Sequence, residues 1–369
     1  MTVSYTDKIA SQGGFGSIFK VLLRWTGSVY KMVWQETIVY LLLYYSISLI
    51  YRFALPETVM RWFENLVMHI AVFRNIIPVS FVLGFYVALV VDRWWGTYKS
   101  FPWPDTTAVL LATHLGGTDG KSKAQRREIM RYINLSIAIT FSKVSPVVKE
   151  KFRNFQDYVD KEYMTERERE VIERLEGDCG THITYVPIMW ACKVVDRARL
   201  EGNIRSNSAQ KTITDEILKV RGRCGEVMGW HDNNIPLVYT QVVTIAVYSF
   251  FFFSLIGEQY IDPNQGYDGY NIDLYFPVSG LLQLVFYMGW LKVAEALLNP
   301  FGDDDHDFEL DALLVRHWRM SRLLSQPYAC DLPPLAKGED EDILKEDFGS
   351  DELVPKQNSK LYPSVEIDL

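Results

Sequence analysis

The sequence predicts an all-α membrane protein, with about four transmembrane helices and a large helical region that stays in water. Three observations carry this prediction. Four long apolar runs stand apart from one another, a charged helix-forming stretch separates the second from the third, and that stretch does not alternate apolar and polar residues as a half-buried strand would. Averaged over the 369 residues, the hydropathy resembles that of a soluble protein, because the average hides this segregation. Aromatic residues reach 14%, and a formal net charge of -8 argues against a nucleic-acid partner, which would need a basic face.

The first run, Thr37 to Leu55, is uncharged until Arg52 and just reaches the roughly twenty apolar residues that cross a bilayer. The second, Ile76 to Val91, is short and closes on Asp92-Arg93-Trp94-Trp95. The third, Ile235 to Gly257, is the clearest span. The fourth runs from about Tyr275 to Leu298 and carries Lys292 and Glu295 on one helical face near its end. Tyr and Trp gather at the ends of several runs, as interfacial anchors do. Between Tyr98 and Asn234, Ile129, Met130, Ile133 and Ile137 mark an amphipathic helix, and Thr165 with Glu168 forms a capping box. After Leu332 the chain turns acidic and proline-bearing, the composition of a flexible tail. The resulting parsing is a cytosolic N-terminal segment 1–36, spans and neck 37–97, a cytosolic helical region 98–234, spans 235–298, an acidic segment with its following helix 299–331, and the tail 332–369.

Charge sets the orientation. Glu258 to Leu274 holds four acids and no Lys or Arg, whereas the N-terminal flank and the middle region are rich in cations. By the positive-inside rule both termini and the middle are cytoplasmic and the acidic loop is outside; Arg61 and Arg74, between the first two runs, point the other way. The start of the chain lacks the apolar core of a signal peptide, so the spans themselves would direct insertion, with the plasma membrane as the expected site. Cys179, Cys192, Cys224 and Cys330 show no metal-knuckle or redox spacing and read as reduced thiols. The ending Glu366-Ile367-Asp368-Leu369 could offer a C-terminal carboxylate to a cytosolic partner.

Two constellations carry chemistry. Ile77, Phe81 and Phe85, at four-residue spacing, would share one face of the second helix in a run without any charge. A core stripe against neighbouring spans is the bland alternative. Ser80 and Gly84 beside the aromatics would let helices approach closely, and several such helices around an axis would form a narrow apolar constriction. Phenyl edges turned toward a pore favour anions, and a charge-free neck favours weakly hydrated ones. The second constellation, Asp303-Asp304-Asp305-His306-Asp307 after Asn299-Pro300, offers hard oxygen ligands suited to calcium, without the glycine and glutamate offsets of an EF-hand. Its bland alternative is an acidic start to the next helix. Gly116 to Ser122 is one residue short of a phosphate loop, and no catalytic motif appears, so no enzyme is expected.

The residues now assembled resemble the bestrophin family of calcium-activated anion channels. The match rests on IPVSFVLGFYVALVVDRWW at Ile77–Trp95, PWPD at Pro102–Asp105, IPLVYTQVVTIAVYSFF at Ile235–Phe251 and GWLKVAEALLNPFGDDDHDFE at Gly289–Glu309, and covers roughly residues 1–320. The resemblance implies a homopentamer in membrane lipid around one central pore, passing chloride and other anions and opened by cytosolic Ca2+. It places the hydrophobic neck at Ile77, Phe81 and Phe85. It places the calcium ligands at the backbone oxygens of Ala10, Ala296 and Asn299 and the carboxylates of Asp304 and Asp307. Ala296 stands where glutamine is usual, and His306 interrupts the acidic run. The family's cytosolic aperture, often a lone aliphatic residue, falls on Ser208, which would make a more wettable ring. The alternative function is a membrane scaffold or channel regulator without conductance of its own. A secondary transporter would want an internal repeat, which is not found.

Overall fold

The computed structural model describes Tyr5 and residues 21–74, 76–179 and 183–326; the tail 332–369 lies outside them. Thirteen α-helices and no β-strand occur among the described residues. The first, α1 (Val29–Leu49), starts at Ser28, whose side chain accepts from Lys31 N, and continues through a π-helical turn, Ile50–Ala54. Pro56 ends it by holding Leu55 in an extended conformation.

The link between the first two apolar runs is itself a helix, α2 (Glu57–Arg74), which packs against α11. Its Ala71 backbone passes so close to Gly257 that a Cβ there would lie 3.1 Å from Ala71 N, and any larger residue would push the two helices apart by a few tenths of an ångström. Four helices are long and apolar enough to cross a membrane: α1 with its extension, α3 (Val79–Lys99), α11 (Leu237–Gly257) and α12 (Val278–Leu298). Within the bundle α3 packs on α11 and α12, and α12 packs in turn on α1.

A second core is built around α5 (Gly120–Val144), which Asp119 caps by accepting from the N–H groups of Lys121 and Ser122. The helices α4 (Asp105–His114), α6 (Pro146–Lys151), α9 (Val186–Leu200), α10 (Asn207–Asp232) and α13 (Leu310–Leu324) pack against it. Two further helices, α7 (Phe155–Asp160) and α8 (Glu166–Cys179), follow α6, and α8 opens on the Thr165–Glu168 capping box that the sequence indicates. From Ile129 to Ser142 α5 is buried on nearly every face, so its amphipathic reading holds only for the first turns. Most of the buried polar groups find partners nearby: Asn134 Nδ2 donates to Met130 O and Ser321 Oγ, Ser136 to Thr184 O, and Thr140 to Ser136 O, while Asn134 Oδ1 is left without a donor. Asn134, in a glycosylation sequon, is therefore inaccessible.

The acidic loop after α11 is pinned by cations and tyrosines. Arg74 pairs with Glu258, and Arg52, aimed by the π turn, bonds Asp273 at 2.8 Å beneath the Tyr275 ring. The fully buried Glu64 of α2 accepts from Tyr51 OH at 2.7 Å, Tyr267 OH at 2.9 Å and Arg61 at 2.8 Å. Arg61 and Arg74 thus stand against the positive-inside pattern because acids on the same side of the bundle hold them. Tyr51→Phe removes a donor to Glu64 and the acceptor of Asp262 N–H. It should cost about 1–3 kcal/mol and lower the thermal midpoint of detergent-solubilised protein by a few degrees. An unchanged midpoint would show that the loop is held by other contacts.

Candidate functional site

One face of α3 is committed to the bundle: Val79, Leu83, Tyr86 and Val90 are buried against α11 and α12. The opposite face carries Phe81 and Phe85, 65% and 60% exposed in the single chain, and continues one turn further in Leu89. The two phenyl rings meet edge to face, with centroids 4.9 Å apart and planes at 73°. Nothing lies within 4 Å of a Cβ built at Gly84, so this glycine makes no close helix contact within the subunit. Leu89 follows from the same four-residue period but lies outside the three-residue motif that the sequence reading singled out.

Ile77 departs from that reading. Pro78 disfavours a helical conformation for the residue before it and has no N–H to donate, so α3 begins at Val79 and Ile77 sits in the preceding turn, its carbonyl accepting from Val79 N at 2.8 Å. It is half-buried beside the bundle core rather than stacked in helical register under Phe81.

The C-terminal end of α3 is a junction. Arg93 donates to the carbonyls of Trp230 and Asn233 at the end of α10 and lies over the Trp230 ring, while Trp230 Nε1 donates to Ser100 Oγ at 2.8 Å. Trp94 stacks on Phe308 at 5.0 Å, and Phe101 meets Phe308 edge-on at 5.0 Å and Phe141 of α5 at 5.9 Å. Ser208 lies at the other end of α10, about 33 Å of helix from Trp230. It is exposed, and its carbonyl accepts from Thr212 Oγ1.

The acidic residues form a tight turn between α12 and α13. Pro300 has no N–H, so α12 stops at Leu298 and the carbonyl of Ala296 loses its helical donor four residues on. Phe308 N then donates to Pro300 O at 2.9 Å, Asp307 N to Asp304 O at 3.1 Å, and Asp304 N to Asp307 Oδ2 at 2.7 Å. Asp307 is only 5% exposed; its Oδ1 is buried without a partner, and burial, with Asp304 and Asp303 nearby, pushes its pKa up. Asp305 points elsewhere, accepting from Lys31 Nζ and Gly27 N, and the lysine holds its carboxyl below the usual range. The structure therefore brings Ala296, Asn299, Asp304 and Asp307 into one short stretch, while Ala10 lies outside the described residues. Among the described residues no three His, Cys, Asp or Glu side chains converge as a metal site. The donor set still fits calcium if backbone oxygens complete it: an orphaned buried carboxylate oxygen, a second carboxylate one turn away and a freed helical carbonyl are all hard ligands.

Comparison with known proteins identifies the family. A family model described as "Bestrophin, RFP-TM, chloride channel" matches residues 1–326. The chain is 44% identical over 337 residues to mouse Bestrophin-2, covering 91% of this chain and 66% of that one, and 43% identical over 337 residues to human Bestrophin-2a, with the same coverage. It thus spans slightly less than two thirds of the length of these relatives. A crystal structure of a variant of a bacterial bestrophin homologue from Klebsiella pneumoniae shares the fold, with a TM-score of 0.58 and 17% identity over 79% of this chain and 99% of that one. With four apolar helices in place and this match across its described body, the chain is an integral membrane protein of the bestrophin family.

Proposed function

We propose that the chain forms a calcium-activated anion channel, a homopentamer in which five copies of α3 surround a chloride pathway. The observation that carries this reading is the exposed, charge-free face of Phe81, Phe85 and Leu89, opposite a face already buried in the subunit. An apolar face on a membrane helix can meet lipid, a neighbour or a pore. The family's neck falls on this one. Phenyl edges turned to the axis would stabilise an anion that has shed part of its water, and the absence of fixed charge keeps it from being trapped. Ser208 rings would form a second, more wettable constriction at the far end of α10. Both termini and the α4–α10 body face the cytosol, and the plasma membrane is the expected location.

Calcium supplies fixed positive charge when bound at the acidic turn. Asp304, Asp307 and the carbonyls of Ala296 and Asn299 would hold it, with Ala10 as a further backbone ligand. The protein's part is to connect that turn to the neck. Phe308 follows Asp307 directly and packs against Trp94 and Phe101 at the inner end of α3, so reordering the turn repacks the base of the pore helix. Calcium shifts the channel toward opening only insofar as the turn binds it better in the open arrangement.

Purified protein in a planar bilayer should pass chloride current that rises with calcium on the cytosolic side; no chloride current at any calcium level overturns the reading and leaves the scaffold alternative. Replacing Ile77, Phe81 and Phe85 together with alanine should give current without calcium, whereas a scaffold would be indifferent. Asp304→Ala, which removes one ligand charge, should raise the half-activating calcium concentration by about tenfold or more. Ser208→Ile should lower the permeability of large anions relative to chloride several-fold while calcium dependence stays unchanged, as measured by reversal potentials under mixed anions.

A further inference from the structure

The lipid-side flank of the bundle carries a groove that the channel reading leaves unused. It lies between α1, α11 and α12, with a volume of about 330 Å3. Leu284, Met288 and Phe251 form its buried floor, and the exposed side chains of Val39, Leu43 and Phe252 form its rims. At one end the apolar character stops at Gln35 and Glu36, adjacent on α1.

The polar end is specific in what it offers. Lys292 bridges Glu36 and Glu295 at 3.0 Å each, so the ammonium is already taken. Glu36 Oε2 is left without a donor and is shielded from water. One turn further out, the hydroxyl of the buried Tyr40 also lacks a partner. A shielded carboxylate oxygen in a membrane helix is costly unless something donates to it. Among the described residues no Lys or Arg lines the groove, and with Lys292 engaged this end offers no counter-charge for a phosphate. It suits a neutral donor, and a hydroxyl is the smallest that a lipid carries.

The body of the groove narrows the choice further. From Gln35 to Leu43 it follows about 12 Å of α1, a length suited to a fused-ring skeleton. Its aromatic walls, Tyr40 set edge-on to Phe251 with Phe252 at the rim, give flat faces for such rings. Its direction follows from the packing order: α3 lies on α12 and α11, and α12 on α1, which puts α1 behind the face of Phe81 and Phe85. If that face lines the axis, as proposed above, the groove opens to the bilayer; this step alone rests on the channel reading.

We infer that the groove is a sterol site, in which the partly exposed Glu36 carboxylate turns toward the groove to accept from the sterol hydroxyl and the ring system lies along Val39 and Leu43 against Phe252. The occupant is a neutral hydroxyl lipid with a rigid body, in contrast to the flexible, phosphate-bearing lipids that make up the bulk of a membrane.

The test uses the full chain in lipid nanodiscs with a sterol carrying a photoreactive diazirine, adducts being mapped by mass spectrometry. Adducts on α1 and α11 at the groove, displaced by excess unlabelled sterol and not by diacylglycerol or phosphatidylcholine, are expected. Leu43→Trp and Phe252→Trp fill the groove from exposed positions, where folding is not at risk, and each should reduce labelling at least several-fold. Glu36→Gln keeps an acceptor oxygen and should retain more labelling than Glu36→Leu. Absence of groove adducts, equal labelling in the tryptophan variants, or equal competition by diacylglycerol overturns the site. Cysteine cross-linking from Leu43 to a neighbouring subunit would also overturn it, by showing the groove covered with protein. The Phe81 and Phe85 variants should label normally. Labelling that survives in a protein passing no current would therefore remove the channel reading and leave the sterol site standing, and the converse result would do the opposite.

Discussion

The architecture depends on the packing of Phe308 against Trp94 and Phe101. Trp94 belongs to α3, Phe101 closes that helix onto the α5 core through Phe141, and Phe308 ends the acidic turn. Three parts of the chain distant in sequence therefore share one aromatic cluster. Aromatic pairs of this kind contribute about 0.5–1.5 kcal/mol each beyond their area burial, enough to keep the turn and the helix moving as a unit. Arg93 adds a second tie by capping the last carbonyls of α10 from the side of α3. The C-terminal end of α3 is thus tied directly to the end of α10, whose other end carries Ser208.

The helical body differs from the bundle in how it is held. Around α5 the interior mixes apolar packing with buried hydrogen bonds, and even Arg126 is fully enclosed, donating to the carbonyls of Leu115 and Gly117. Such groups are costly unless met, so they fix the register of α5 against α4 and α13 where apolar packing alone would tolerate sliding. The membrane bundle lies in a different solvent. Its helices gain little from hiding apolar surface from lipid, and close packing at Gly257 with ion pairs at its ends orders them instead.

Much of this was legible in the sequence because it is local and periodic. Four apolar runs mark the spans, Thr165 and Glu168 mark a helix start, and the four-residue step of Phe81 and Phe85 places them on one exposed face. What could not be read depends on contacts between distant segments. The helix α2 has enough charge to pass for a loop, and only the fold shows why its cations sit where they do: Arg61 pairs with Glu64 on α2 itself and Arg74 with Glu258 after α11. The burial of α5 on all sides is equally invisible, since Ser136, Asn134 and Thr140 look solvent-facing until their partners are known. Ile77 was misplaced for a local reason: a four-residue count runs through Pro78 as though the helix did too.

The distribution of charge within the bundle completes the physical argument. Arg74 is held by Glu258, Arg52 by Asp273, and Lys292 by Glu36 and Glu295, so each of these cations in or beside the spans is neutralised at short range. None lies on the face of Phe81, Phe85 and Leu89, and no charge occurs in the sequence from Ile76 to Val91. Had an unpaired cation faced the same side, an anion would bind there and leave slowly; an unpaired acid would exclude it. Were that face to line an anion pathway, as proposed, the phenyl edges would supply a weak, oriented field there, with Asp92, exposed one turn beyond Leu89, the next charge along α3. An ion at that face would be sorted by how easily it sheds water, and the aromatic cluster at the C-terminal end of α3 would hold the helix in register.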